Sequence, residues 1–156
     1  MSKQPPTDDT VCRNRKAAFR FEILEQFECG IMLRGTEVKS LRDKNASIEE
    51  AYARIEDDEL WLIGSHIAAY TFAHALNHEP LRHRKLLIHA REIRKLRPQV
   101  EQKGLTLVPL RMYFKQALVK VEVGLCTGKK VFDRREDLKK KAQLREVEAA
   151  MKRRLG

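Results

Sequence analysis

The 156-residue chain has only three cysteines, Cys12, Cys29 and Cys126, at wide and unpatterned spacing. An odd count without a CxxC pair excludes a disulfide framework and a cysteine metal clip, and fits the reduced thiols of a cytoplasmic protein. No run approaches the roughly 18 consecutive apolar residues of a membrane span. The opening MSKQPPTDDT lacks the apolar stretch of a signal peptide. All five prolines stand at or before Pro109, and no glycine falls between Gly128 and Gly156, so the C-terminal segment holds no helix breaker. GxSxG, Walker and GxGxxG patterns are absent. His74, His78 and His83 are closely spaced, but zinc takes N and S ligands in a closed tetrahedral set and the cysteines lie far off in sequence, so no metal site is expected. Asp57, Asp58 and Glu59 are acids of the kind a Mg²⁺ nuclease uses, yet they fall in an expected hairpin turn. No catalytic residue, cofactor or small-molecule substrate is expected.

What the chain does have is positive charge. It carries 32 Lys and Arg against 22 Asp and Glu, a formal net charge of +10. Residues 129–156 hold 11 basic and 5 acidic side chains, and residues 82–97 hold seven and one, a net of +6 in each segment. Residues 43–59 run the other way, with seven acids against two bases, a net of −5. One such run is an ordinary solvated face. Two of the same sign on a basic chain favour a polyanionic partner, which for a cytosolic protein means nucleic acid.

Apolar residues make up 42% of the chain, enough for a core. Residues 1–13, polar and without periodicity, read as a mobile leader. Phe19–Ile23 alternates apolar and polar as a half-buried strand, and Gly30–Leu33 reads as a second strand. Thr36 is positioned to cap a short helix running to Arg42. Residues 52–56 and 60–64 form a hairpin, 77–80 a loop, and 85–88 a strand. Residues 90–103 have helical spacing interrupted by Pro98 and closed by Gly104. Thr106–Val108, Met112–Phe114 and Val119–Val123 supply the closing strands. Short strands at this spacing suggest a small closed or nearly closed barrel.

In the last segment Leu144, Val147, Met151 and Leu155 make one narrow apolar stripe on a helix. Glu136–Lys140, Asp137–Lys141 and Glu148–Lys152 are favourable i,i+4 pairs, worth roughly 0.2–0.5 kcal/mol each. That does not offset helix nucleation in an isolated segment. Residues 129–156 are therefore expected to be disordered when free and helical against a polyanion; the alternative is a terminal helix docked on the body. Phe132, set between Lys129-Lys130 and Arg134-Arg135, is either a base-stacking ring or an anchor to the body.

Several runs occur together in a specific order: Asn14-Arg15-Lys16-Ala17, Phe27-Glu28-Cys29-Gly30-Ile31 and Gly35-Thr36-Glu37-Val38-Lys39-Ser40-Leu41-Arg42. Then come His78-x-Pro80-x-Arg82-x-Arg84-Lys85-Leu86-Leu87-Ile88-His89, Glu92-Ile93 and Gly104-x-Thr106-x-Val108-Pro109-Leu110. Tyr113-Phe114-Lys115, Gly128-Lys129-Lys130 and Asp133-x-Arg135-Glu136 close the series. From residue 14 to about 153 the chain resembles the SsrA-binding protein (small protein B) family. The resemblance implies a mainly β fold, a small closed antiparallel barrel of the oligonucleotide-binding (OB) type, with short flanking helices and a basic tail. Residues 1–13 would be a leader, 14–128 the barrel and 129–156 the tail.

It also implies a function. The family binds the tRNA-like domain of transfer-messenger RNA and brings it to stalled ribosomes in trans-translation, with elongation factor Tu engaged indirectly through the RNA. The body stands in for the missing anticodon arm, and the tail folds as a helix in the small-subunit decoding centre and empty mRNA channel. By position, Glu28, Leu87 and His89 fall on the RNA-contacting side, and Lys39, Arg84, Lys85, Lys120, Lys129 and Lys130 are the cations for its phosphates. Asp133, Arg134, Arg135, Lys139, Lys140 and Lys141 match the proximal tail and Met151 the distal tail. Phe132 falls where the family often has a ring that could stack on ribosomal RNA. Alternatives stay open: Glu28 in a local salt bridge, Leu87 in the core, Lys39 as a solvated helix residue. Arg134 stands for the more usual Lys, and Cys29 and Cys126 for the commoner Ala. The competing reading is a general RNA-binding barrel whose tail is a nonspecific grip.

Overall fold

The computed structural model describes residues 9–73 and 76–128. The elements in chain order are β1 (Thr10–Arg13), α1 (Ala17–Arg20), β2 (Phe21–Ile31), α2 (Gly35–Arg42), β3 (Ala46–Ser47) and β4 (Tyr52–Glu56). They continue with β5 (Glu59–Ile63), β6 (His66–Ile67), β7 (Arg84–Leu87), α3 (Ala90–Glu101), β8 (Thr106–Lys115) and β9 (Leu118–Gly128). The fold is mainly β. The antiparallel pairings β4–β5, β5–β7, β7–β2, β2–β9 and β9–β8 return to β4 through Ala53↔Leu107, so six strands are linked in a ring. β1 adds to β8 beyond that closure, and β3 pairs β6 in a small second sheet.

Inside the ring lies the main core, with Leu41, Ile48, Leu60, Leu62, Ile67, Leu86, Leu107, Met112 and Val121 all sealed from solvent. β9 keeps a strict period of two, with Val119, Val121, Val123 and Leu125 inward. Its neighbours do not. β2 has a bulge between Ile23 and Glu25, and β8 one between Pro109 and Arg111. One extra residue flips the faces of everything beyond it. Before the bulges Phe21, Ile23, Val108 and Leu110 face outward and form a second apolar cluster with Ala17 of α1. Beyond them Cys29 and Met112 face the main core, and Glu28, Arg111 and Tyr113 lie in register with Lys120 and Glu122 on the outer side of the sheet.

These bulges explain two differences from the sequence expectation: β2 is one strand where two were expected, and β8 is one strand from Thr106 to Lys115. Phe19 belongs to α1 and is 65% exposed, not half-buried in a strand. Thr10–Arg13, expected within the leader, is instead a strand paired to β8, and Val11 packs in the core; residues 1–8 lie outside the described residues. The β4–β5 hairpin is as expected. Its turn residues Asp57 and Asp58 both take left-handed φ, 51° and 60°, the twist-matched geometry of a two-residue turn. Gly64 takes φ +80°, and an added Cβ would sit 2.9 Å from the Glu50 carbonyl oxygen, so only glycine fits. α3 runs unbroken through Pro98, and Gly104, at φ 66°, follows its end.

α2 begins two residues earlier than a Thr36 cap would allow, with Arg34 as its N-cap. The Glu37 carboxylate accepts the Arg34 backbone N–H at 2.7 Å and caps the first turn. Thr36 instead bonds Nδ1 of buried His78 at 2.9 Å, while Nε2 of that ring donates to the Ile67 carbonyl at 2.8 Å. His78 therefore pins the loop before β7 to α2.

Candidate nucleic-acid interface

The site is built around a missing side chain. Gly30 of β2 lies in register with Leu87 of β7 on one side and Lys120 of β9 on the other, and Lys120 lies opposite Tyr113 of β8. With no Cβ at Gly30, a groove of about 600 Å³ opens between Leu87 and Lys120, lined also by Glu28, His89 and Glu92. β7 supplies Leu87 by alternation: Leu86 is 1% exposed in the core and Leu87 46% exposed on the rim. The core alternative for Leu87 is thereby excluded. His89 is the N-cap residue of α3, in extended backbone, and brings its imidazole to the same groove with Glu92 from the first helical turn.

Glu28 stands one row along from Gly30. Its Oε2 accepts a short hydrogen bond from the Tyr113 hydroxyl, and its Oε1 the Lys115 ammonium at 3.3 Å. The Tyr113 bond, with the Lys115 bond and charge behind it, outweighs the burial penalty and holds this carboxyl below the ordinary range. Burial first, and then the Glu28 carboxylate, push the Tyr113 phenol upward. Arg111 covers the Tyr113 ring, its guanidinium carbon 4.0 Å from the centroid, and reaches Glu122 at 3.7 Å. The neighbouring Cys29 thiol is pushed up to about 12 by burial and by the Glu28 charge, so it stays protonated and inert.

Four of the residues expected at an RNA surface, Glu28, Leu87, His89 and Lys120, thus line one groove. Lys85 is on the same strand as Leu87, its ammonium 3.0 Å from Glu59 and a third exposed. Lys39 is elsewhere, exposed on α2 with its ammonium 5.5 Å from the Tyr70 ring centroid. Arg84 is a correction to the expected set. It is fully buried, donating to Glu37 at 2.5 Å, to the Ser65 hydroxyl and carbonyl at 2.9 Å, and to the Pro80 carbonyl at 3.1 Å. A guanidinium occupied in this way is closed to phosphate. Lys129, Lys130, Phe132, Asp133, Arg134, Arg135, Lys139, Lys140, Lys141 and Met151 lie outside the described residues. Gly30 and Tyr113 stand in the sequence only as members of the family-like runs, with no site role expected, and Arg111 carries no expectation at all; the signal, a bulge that turns Tyr113 outward, is a matter of pairing register and not of local pattern.

A model of the family described as SmpB protein matches residues 11–153. The chain belongs to the SmpB family. An SsrA-binding protein of Thermosynechococcus vestitus is 53% identical over 145 residues, 92% of this chain and 95% of the relative. One of Gloeothece citriformis is 51% identical over 154 residues, 98% and 99% of the two chains. A solved SmpB chain, described under "tmRNA-SmpB: a journey to the center of the bacterial ribosome", is 48% identical with a TM-score of 0.65, over 79% of this chain and 86% of that one. Among the described residues no group of three or more His, Cys, Asp or Glu side chains is arranged to hold a metal, and no helix is long and apolar enough to cross a membrane.

Proposed function

We propose that this chain binds transfer-messenger RNA at its tRNA-like domain and delivers it to stalled ribosomes for trans-translation, as a cytoplasmic RNA-binding protein without catalytic activity. The observation that carries this reading is the groove at Gly30, where Glu28, Leu87, His89 and Lys120 converge from β2, β7, the start of α3 and β9. Relatives of about half identity are named SsrA-binding proteins, and the solved SmpB chain is described with tmRNA and the bacterial ribosome. Lys85 and Lys120 supply phosphate contacts that carry affinity but no sequence information, and Glu28 accepts a donor from base or ribose. The ring of six strands is the OB-type barrel, a reading supported by its closed antiparallel pairing.

In this account the body takes the place of the absent anticodon arm. Lys129, Lys130 and the tail from Phe132 through Asp133, Arg134, Arg135, Lys139, Lys140 and Lys141 to Met151 engage the decoding centre and the empty mRNA channel. Two measurements test the account. The transcribed tRNA-like domain should outcompete an alanine tRNA of equal length by about a hundredfold, some 2.7 kcal/mol, at physiological salt; near-equal binding would support the general RNA-binding alternative. Removing residues 130–156 should leave RNA affinity nearly intact and abolish peptide tagging on stalled ribosomes; loss of RNA affinity on truncation would refute that division of labour.

A further inference from the structure

Resting on the groove as the RNA contact, we infer that Tyr113 is its positioning residue: the phenol hydroxyl fixes the Glu28 carboxylate in the orientation that receives a donor from the RNA. Tyr113 lies on the outward side of β8, in the row Leu87–Gly30–Lys120–Tyr113. Yet it is only 9% exposed, because the Arg111 guanidinium lies over its ring. Its hydroxyl takes one Glu28 oxygen and the Lys115 ammonium the other, at 3.3 Å. Each oxygen keeps a lone pair, and the side chain remains 38% exposed beside the groove.

The orientation needs an external hold. Glu28 has the like charge of Glu122 as its cross-strand neighbour on β9, yet its carboxylate crosses β9 to reach Tyr113 and Lys115 of β8, while Lys120 is close enough to compete for it. Arg111, opposite Glu122, takes up that second acid at 3.7 Å and also donates to the Thr10 hydroxyl at 3.3 Å. Thr10 is itself in register with Tyr113. A continuous set of contacts therefore runs from β1 through Arg111 and Tyr113 to the acid at the groove. β1 has a second role here, as the strand that steadies the ring from the side away from the RNA.

The test is a double-mutant cycle in the full chain, with the transcribed tRNA-like domain of transfer-messenger RNA as probe and thermal melting alongside. Tyr113→Phe keeps the ring under Arg111 and removes only the hydroxyl. It should weaken binding by about tenfold, the effect of one hydrogen bond to a charged group. Glu28→Ala should weaken it at least as much, and the double variant should bind no worse than Glu28→Ala. A second readout needs no RNA. In the free protein the Glu28 carboxyl, followed by carbon NMR, should titrate at higher pH in Tyr113→Phe than in the parent, since the hydroxyl is the largest contribution holding it down. The other titratable groups at the groove (His89, Glu92, Lys115, Lys120, Arg111 and Glu122) are unchanged in that comparison. A purely structural tyrosine would shift melting without moving this titration. If Glu28→Ala weakens binding and Tyr113→Phe does not, or if the Tyr113→Phe loss persists in full without Glu28, the positioning role is overturned while the groove stands. If Glu28→Ala binds like the parent, the groove reading falls and this inference with it.

Discussion

Two glutamates in this molecule are held by nearly the same chemistry and put to different use. Glu37 accepts from Arg84 at 2.5 Å, from Arg82 at 2.6 Å and from the Arg34 backbone at 2.7 Å, and neither its side chain nor that of Arg84 is exposed. Glu28 accepts from Tyr113 and Lys115 and is left open on a groove. Burial drives the Glu37 pKa up, but the Arg82, Arg34 and Arg84 hydrogen bonds outweigh it, so this acid too lies below its ordinary range. Around Glu37 both oxygens are taken up from inside the protein, by three donors on a side chain with no exposure, and the group joins α2 to β7 and the loop before it. Around Glu28 one face is filled and the other is left for a partner. The difference is not the residue type but whether the fold closes over it.

The sharpest way to break the comparison is at the sealed acid. Glu37→Ala leaves the buried Arg84 charge uncompensated and should cost about 3–5 kcal/mol of stability in urea unfolding, whereas Glu28→Ala should leave stability nearly unchanged. The pH dependence follows the same sign. A carboxyl with a lowered folded pKa contributes stability that is fully present above its unfolded value, about 4.3, and is lost as pH falls through the lower folded value. Acid unfolding should therefore steepen below about pH 4.3 in the parent and be blunted in Glu37→Gln. Equal acid sensitivity in the two proteins would remove Glu37 from the account.

At the open acid, the informative change is its neighbour. A Cβ at Gly30 would stand 3.2 Å from Leu87 Cβ, so Gly30→Val fills the gap that defines the groove. Crowding of this kind costs about 1–3 kcal/mol, and strand geometry favours valine, so the chain should still fold. RNA affinity should drop about tenfold or more. Normal affinity in the folded variant would mean that the groove is not where RNA binds. The smallest effect is expected at Lys39, on α2 beside Tyr70 and not among the groove residues. Lys39→Ala should change affinity less than about threefold and the salt slope by less than one. A loss as large as that of Gly30→Val would extend the RNA footprint across α2.

Legibility in the sequence followed locality. The β4–β5 hairpin, β7 and α3 announce themselves because their alternation or helical spacing sits within a few adjacent residues. β2 and β8 read as separate short strands because a bulge breaks the period of two: Ile23-Leu24 are adjacent apolar residues, and Leu110 and Arg111, unlike in type, both face the outer side of the sheet. β1 escaped notice because its partner, β8, is about a hundred residues away in sequence. The same reason explains Arg84. A run of basic residues shows where charge is dense, but Glu37, 47 positions upstream, decides that this one cation faces inward. Glu28, Leu87, His89 and Lys120 could be named from family resemblance, but their convergence depends on Gly30 and on register, which no local window contains.

The most direct measurement is amide NMR mapping of the isotope-labelled chain as the transcribed tRNA-like domain of transfer-messenger RNA is added at physiological salt. The account predicts that perturbations concentrate on Phe27–Gly30, Leu86–Glu92 and Val119–Val121, the backbone around the groove, and leave Glu37 of α2 and its neighbour Ser65 nearly still. Perturbations centred on α2 and the loop at Tyr70, with the groove backbone silent, would contradict it.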